Sequence, residues 1–310
     1  MAHTNKSLLS SGATSFGVSK RYVIWLYVVG LVLGIGSSAG LFARLGDVLD
    51  RSLYSDRLMH GFDLATFMGL IEKPEVSLGS HTLISLLCAA VFFFFEIFLA
   101  GGILAEYLAD ARMERTQFYS RCGENFWKLI RIAILFFIAA AIVMGIVRGI
   151  RFGIGSATEN WKNEQAAFAL QCIVVVLEGL ALLWLRMWFD LAQTETVSTS
   201  ARRVRSAVGH GFRSACRAGA LYASYLLLGI VALAVLVLGG WFWWSVVPAA
   251  ATVLSFVVWQ VILFVTLALR WWQRAVVVAW YERSIPVTEP VVLHAEPLPQ
   301  TPAPLPEMNS

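Results

Sequence analysis

Six stretches of about twenty residues, each almost free of charge, constrain this chain more than any other feature. They cover residues 22–41, 82–104, 129–147, 166–188, 221–240 and 247–269. A helix needs roughly 20 mostly apolar residues to cross a hydrocarbon core, and a helix satisfies its own backbone polar groups there. Strands of a membrane barrel would alternate apolar and polar residues. Residues 91–95 (VFFFF) and 231–238 (VALAVLVL) do not alternate. Composition agrees with helices in lipid. The 310 residues are 58% hydrophobic and 14% charged, whereas soluble domains are about half apolar and about a quarter charged. A water-soluble enzyme is excluded. The expected fold is all-α: six transmembrane helices with amphipathic interfacial helices in both inner linkers and the first outer segment.

The formal charge of +4 and the pI near 9.0 do not point to nucleic acid, because the basic residues stand in short blocks beside the apolar runs. Lys and Arg are retained on the cytoplasmic side of membrane helices. If the N-terminus is inside, seventeen of the 24 Lys and Arg fall in inner segments and seven in outer ones. Both termini are therefore expected in the cytoplasm. Trp184, Trp188, Trp271 and Trp272 then mark the inner boundary, and Trp161, Trp241, Trp243 and Trp244 the outer one, as amphipathic indoles favour the headgroup level. The first run, preceded by Lys20-Arg21, also fits a cleavable signal peptide, but its twenty residues exceed the usual 7–15. Cleavage would leave five helices in the same orientation.

Outside the spans the pieces are small. Residues 1–19 are rich in Ser, Thr and Gly and are expected to be a disordered cytoplasmic tail. Residues 20–284 form the membrane domain. Residues 44–80 place apolar residues at helical intervals, as interfacial helices do. Residues 239–248, between the fifth and sixth runs, contain Gly239, Gly240 and Pro248 and read as a tight turn. Residues 285–310 hold seven of the nine prolines and read as an extended, disordered cytoplasmic tail. That tail is either a linker or a docking site for a protein partner. The second inner linker carries Arg202, Arg203, Arg205, Arg213 and Arg217 among apolar residues. It reads as an amphipathic helix on anionic headgroups, each basic residue gaining about 1 kcal/mol there. Residues 123–131 (GENFWKLIR) are its weaker counterpart.

Two acids stand deep in the apolar runs. Glu96 follows four phenylalanines, and Glu178 follows Val174-Val-Val-Leu177. Intramembrane carboxyls are expensive unless neutral, paired or facing water, so they mark candidate proton relays or cation sites. The plainer alternative is a protonated Glu hydrogen-bonded to a neighbouring helix. Arg186 lies two turns from Glu178 and is placed to pair with Asp190 at i+4. Cys88, Glu96 and Asp110 recur in order as Cys172, Glu178 and Asp190, although the spacings differ by two or more residues. That order fits a parallel repeat, and equally any pair of hairpins that turn inside. Gly30, Gly34, Gly36 and Gly40 form two GxxxG spacings, and Gly145 and Gly149 a third; such spacings let helices approach closely.

No catalytic, metal or cofactor constellation emerges. Residues 36–40 (GSSAG) match GxSxG but lie on an apolar helix rather than a strand–turn–helix elbow. The five histidines are scattered, and the four cysteines show neither CxxC spacing nor a disulfide framework.

Residues 55–64, 98–103, 124–131 and 190–193, the last followed by the Arg-rich linker, resemble a group of uncharacterised six-helix bacterial membrane proteins. More distantly, the layout is similar to the membrane domain attached to some glycerophosphodiester phosphodiesterases. The resemblance implies a bacterial inner membrane and no known activity. The chain is thus expected to be a non-enzymatic integral membrane protein that binds lipid or a protein partner. The alternative is a small proton- or cation-coupled transporter using Glu96 and Glu178.

Overall fold

The computed structural model describes residues 7–50, 68–69, 78–158, 164–199, 204–248 and 251–284. Among them are seven helices and no strand: α1 (Leu8–Asp50), α2 (Leu78–Ala109), α3 (Arg115–Thr158), α4 (Glu164–Ser198), α5 (Val204–Arg217), α6 (Gly219–Val246) and α7 (Thr252–Ser284). All but α5 are long and apolar enough to cross a membrane, the arrangement of a multi-pass membrane protein. Of the expected pieces, the tail 285–310, Arg202 and Arg203, Trp161 and most of the first outer segment lie outside the described residues.

The helices exceed what a bilayer requires. The 44 residues of α3 extend about 66 Å at 1.5 Å per residue, twice a hydrocarbon core of about 30 Å. Packing is concentrated at one end of that length. The starts of α1, α3 and α6 meet the ends of α2, α4 and α7 at what is here termed the proximal end. Nearly all the buried side chains lie there, including Leu26, Ile103, Phe118, Met187, Tyr225 and Trp271. At the distal end the same helices expose Leu86, Phe152, Phe168, Leu238 and Trp244. In the most apolar window of each long helix, no more than 17% of residues are buried. Lipid tails are as apolar as leucine, so exposed aliphatic faces cost nothing in a bilayer and give no drive to pack together.

The proximal part of α7 is the centre of the assembly. Residues 273–279 are all buried, as a helix surrounded by others must be. Helix α1 packs along it and begins far ahead of its apolar run. Ser7 Oγ accepts from Ser10 N at 3.3 Å at the start of α1, Gly12 lies against the Val276 backbone, and Trp272 Nε1 donates to Leu9 O at 3.2 Å. The tail expected to be disordered through residue 19 is therefore helical from Leu8. Docking on α7, rather than intrinsic propensity, orders it.

Three further expectations change. The first inner linker forms no separate interfacial helix, because Arg115 onward belongs to α3 itself. Gly239 and Gly240 lie inside α6, and the turn falls at Val247-Pro248. A Cβ on Gly239 would come within 2.7 Å of Ile262, so this glycine serves contact between α6 and α7. Trp271 is fully buried, not at a lipid boundary. The amphipathic α5 is present, packed antiparallel on α4. The Trp188 indole donates to Val208 O at 2.9 Å, and Phe212 meets the Trp184 and Trp188 rings edge-on.

Gly102 tests how tightly the proximal core is packed. A Cβ there would lie 2.6 Å from both Cys122 Sγ and the Phe118 ring, and that ring is stacked on Tyr22 with centroids 3.9 Å apart. Gly102→Ala is expected to destabilise the protein by about 1–3 kcal/mol through overpacking. Gly145→Ala, in open space, is expected to be neutral or stabilising by up to about 1 kcal/mol. Thermal unfolding in detergent distinguishes the two.

Candidate functional site

The proximal core contains two buried carboxylates, each held by arginine. Asp190, in the last third of α4, is 4% exposed. Arg270 of α7 grips it through two nitrogens: Nη1 donates to Oδ2 at 2.8 Å and Nη2 to Oδ1 at 3.1 Å. The Tyr225 hydroxyl of α6 donates to the same Oδ2 at 2.5 Å and accepts from Arg270 Nη1. Gln273 adds a bond to the Tyr225 carbonyl at 3.2 Å. Arg274, one turn along α7 from Arg270, stands with Nε 3.6 Å from Asp190 Oδ1 and Nη2 3.3 Å from Glu96 Oε1. Its guanidinium lies over the Trp271 ring, 4.3 Å from the centroid. One polar network thus joins α2, α4, α6 and α7. Two-pronged Arg–carboxylate pairs fix orientation as well as distance.

The second carboxylate is Glu106, with no exposed surface. It accepts from Ser19 Oγ at 2.5 Å, Arg21 Nη2 at 2.8 Å and the Met113 backbone N–H at 3.2 Å. These contacts tie α1 to the end of α2 and to the turn that follows. Asp110 makes that turn with φ of 45°, a left-handed conformation that Asp tolerates better than most residues.

The residues singled out from sequence fare unequally. Glu96 is placed in the network, but by pairing with Arg274. Glu178 is half-buried and makes no hydrogen bond or ion pair among the described residues, and nothing joins it to Glu96. Arg186 does not bridge Asp190, because Arg270 and Arg274 arrive from α7. Asp110 is exposed in a turn whereas Asp190 is buried within a helix, so the proposed repeat does not hold at this position. Arg205, Arg213 and Arg217 are exposed along α5, while Ala207, Gly211 and Ala215 face α4. Glu106, Arg270 and Tyr225 were missed. Glu106 and Arg270 lie just past the ends of their apolar runs, where a charge ordinarily signals the water boundary, and Tyr225 passes as a boundary aromatic. A usable signal was the pairing of an acid and a base at the same end of helices that run in opposite directions.

Several buried polar atoms around Arg274 have no hydrogen-bond partner, namely its own Nε and Nη1, Tyr107 Oη and Trp271 Nε1. Among the described residues no three His, Cys, Asp or Glu could hold a metal ion. What the arrangement does chemically is clamp helices: every charged group in it is committed to an opposite charge on another helix.

Comparison with known proteins yields no match to a family model, a curated protein or a solved structure.

Removing one side of a buried pair strands the other, at a cost of about 3–5 kcal/mol. Arg270→Leu is expected to destabilise the protein on that scale in detergent unfolding. Glu178→Gln, which breaks no contact, is expected to stay within about 0.5 kcal/mol. Equal losses for the two would contradict the assignment of Asp190 and Arg270 as the clamp.

Proposed function

We propose that this chain is a non-enzymatic integral membrane protein that works by binding lipid, with both termini in the cytoplasm of a bacterial inner membrane. One observation carries the lipid reading. Packing is concentrated at the proximal end, which leaves most of the distal apolar side chains of six helices facing outward. The exposed arginines of α5 add to it. They sit on the face of an amphipathic helix turned away from α4, in position for acidic headgroups. The Pro-rich tail gives a second contact, for a protein partner.

Coupled transport has less support. It needs Glu96 and Glu178 around a shared polar space, but Glu96 is held by Arg274 and Glu178 stands apart. Proteoliposomes are expected to show no proton flux above protein-free vesicles. A flux abolished by Glu96→Gln would replace the lipid reading with transport.

The positive test is stability against lipid composition. Adding phosphatidylglycerol is expected to raise the unfolding midpoint more than adding phosphatidylcholine. Joint replacement of Arg205, Arg213 and Arg217 by Ala is expected to remove most of that difference. No dependence on lipid in the native sequence would refute the proposal. Reporter fusions at both termini are expected on the cytoplasmic side and a reporter inserted at residue 161 outside. The opposite pattern would reverse the orientation.

A further inference from the structure

An elongated groove runs between α1, α2 and α7, just distal to the packed core. Its volume is about 380 Å³, and its walls include Gly30, Gly34, Phe92, Phe256, Leu263 and Leu267. It follows α1 from Leu26 to Ser38, about 18 Å of helix at 1.5 Å per residue. The two glycines line it differently: a Cβ on Gly30 would come within 3.1 Å of the Phe92 ring, so this glycine serves contact between α1 and α2. A Cβ on Gly34 would touch nothing within 4 Å. The GxxxG spacing thus meets a neighbouring helix at Gly30, as the sequence suggested, and leaves open space at Gly34.

Midway along, a polar pair interrupts the apolar lining. The Tyr27 hydroxyl donates to Gln260 Oε1 at 3.1 Å. The amide nitrogen of Gln260 has no partner among the described residues, although it borders a hydrocarbon-facing groove where an unpaired donor is costly. An occupant with a hydrogen-bond acceptor at this depth satisfies it. Lys20 lies seven residues before Tyr27, two turns along the same face of α1 and about 10 Å nearer the proximal end. Lys20 is exposed and has no acidic partner among the described residues, so it offers positive charge on the headgroup side of the groove.

We infer that this groove binds one phosphoglycerolipid of the proximal leaflet, with an acyl chain along Gly34, an ester carbonyl accepting from the Gln260 amide and the phosphate at Lys20. The assignment rests on the lipid-binding reading above and narrows it to one site and one lipid class. Apolar surface and a few placed polar groups divide the work as in other small-molecule sites: the chain supplies burial, the amide depth and the lysine headgroup preference.

Native mass spectrometry of the full chain in detergent, titrated with 1-palmitoyl-2-oleoyl phosphatidylglycerol, tests this. The native sequence is expected to retain one lipid. Gly34→Leu, which fills the groove from open space, and Gln260→Leu are each expected to lower that occupancy at least fivefold. Gly145→Leu, on α3 away from the groove, is expected to leave it unchanged. Lys20→Gln is expected to reduce the preference for phosphatidylglycerol over phosphatidylcholine. Should Gly34→Leu not fold, Gln260→Leu carries the test alone. Undiminished occupancy in both variants overturns the site. So does a lipid-free dimer of the native chain that Gly34→Leu dissociates, which would make a second copy the occupant. If the site fails while the unfolding midpoint still responds to phosphatidylglycerol, the general lipid reading stands. If that response is also missing, both fall.

Discussion

Burying Asp190 among arginines is the constraint on which the rest of the assembly depends. A carboxylate that is 4% exposed is tolerable only if opposite charge and hydrogen bonds replace its lost water. Arg270, Arg274 and Tyr225 supply them from two other helices, and Arg274 extends the link to Glu96 on a third. Glu106 does the same for α1 and the turn after α2. Through the two carboxylates, α1, α2, α4, α6 and α7 are joined by interactions that have a required geometry. Apolar contacts between helices in lipid carry no such requirement, because tails substitute for them freely.

This accounts for the uneven shape of the molecule. Where charges must be sheltered, the helices close tightly: Gly12 and Gly102 allow a backbone or ring to approach within distances that a Cβ would forbid, and Gly211 allows α5 to lie close on Ala192. α3, which contributes no charge to either network, enters this core by packing alone, with Phe118 and Cys122 against Gly102. Beyond the core contacts are fewer, such as Gly239 against Ile262, and the helices present leucine, phenylalanine and tryptophan outward. The groove beside Gly30 and Gly34 lies at the border between these regimes, where α1 and α7 leave the core and separate.

Much of the architecture was legible beforehand. The six spans are found where the apolar runs placed them, because a run of twenty apolar residues has few other stable states. The amphipathic α5 was legible from arginines spaced among small and apolar residues. The proximal extensions were not. Leu8–Lys20 is polar and small, with no periodic signal, and its helicity comes from docking on Val276 and Trp272. The polar site was half legible. Glu96 and Glu178 stood out equally as acids in apolar runs, yet Glu96 alone found a partner, because that depends on which helix lies opposite.

The sequence by itself determined the class of protein, the number of long helices and their alternating direction, since these follow from local hydropathy and length. Only the tertiary structure decided which charges are interior. Arg270 and Glu106 read locally as boundary charges and Trp271 as a boundary aromatic, but helices longer than a bilayer needs carry all three into a shared core. Charge pairing acts between residues such as Asp190 and Arg270, 80 positions apart. No window along the chain contains both partners; the fold that brings them together does.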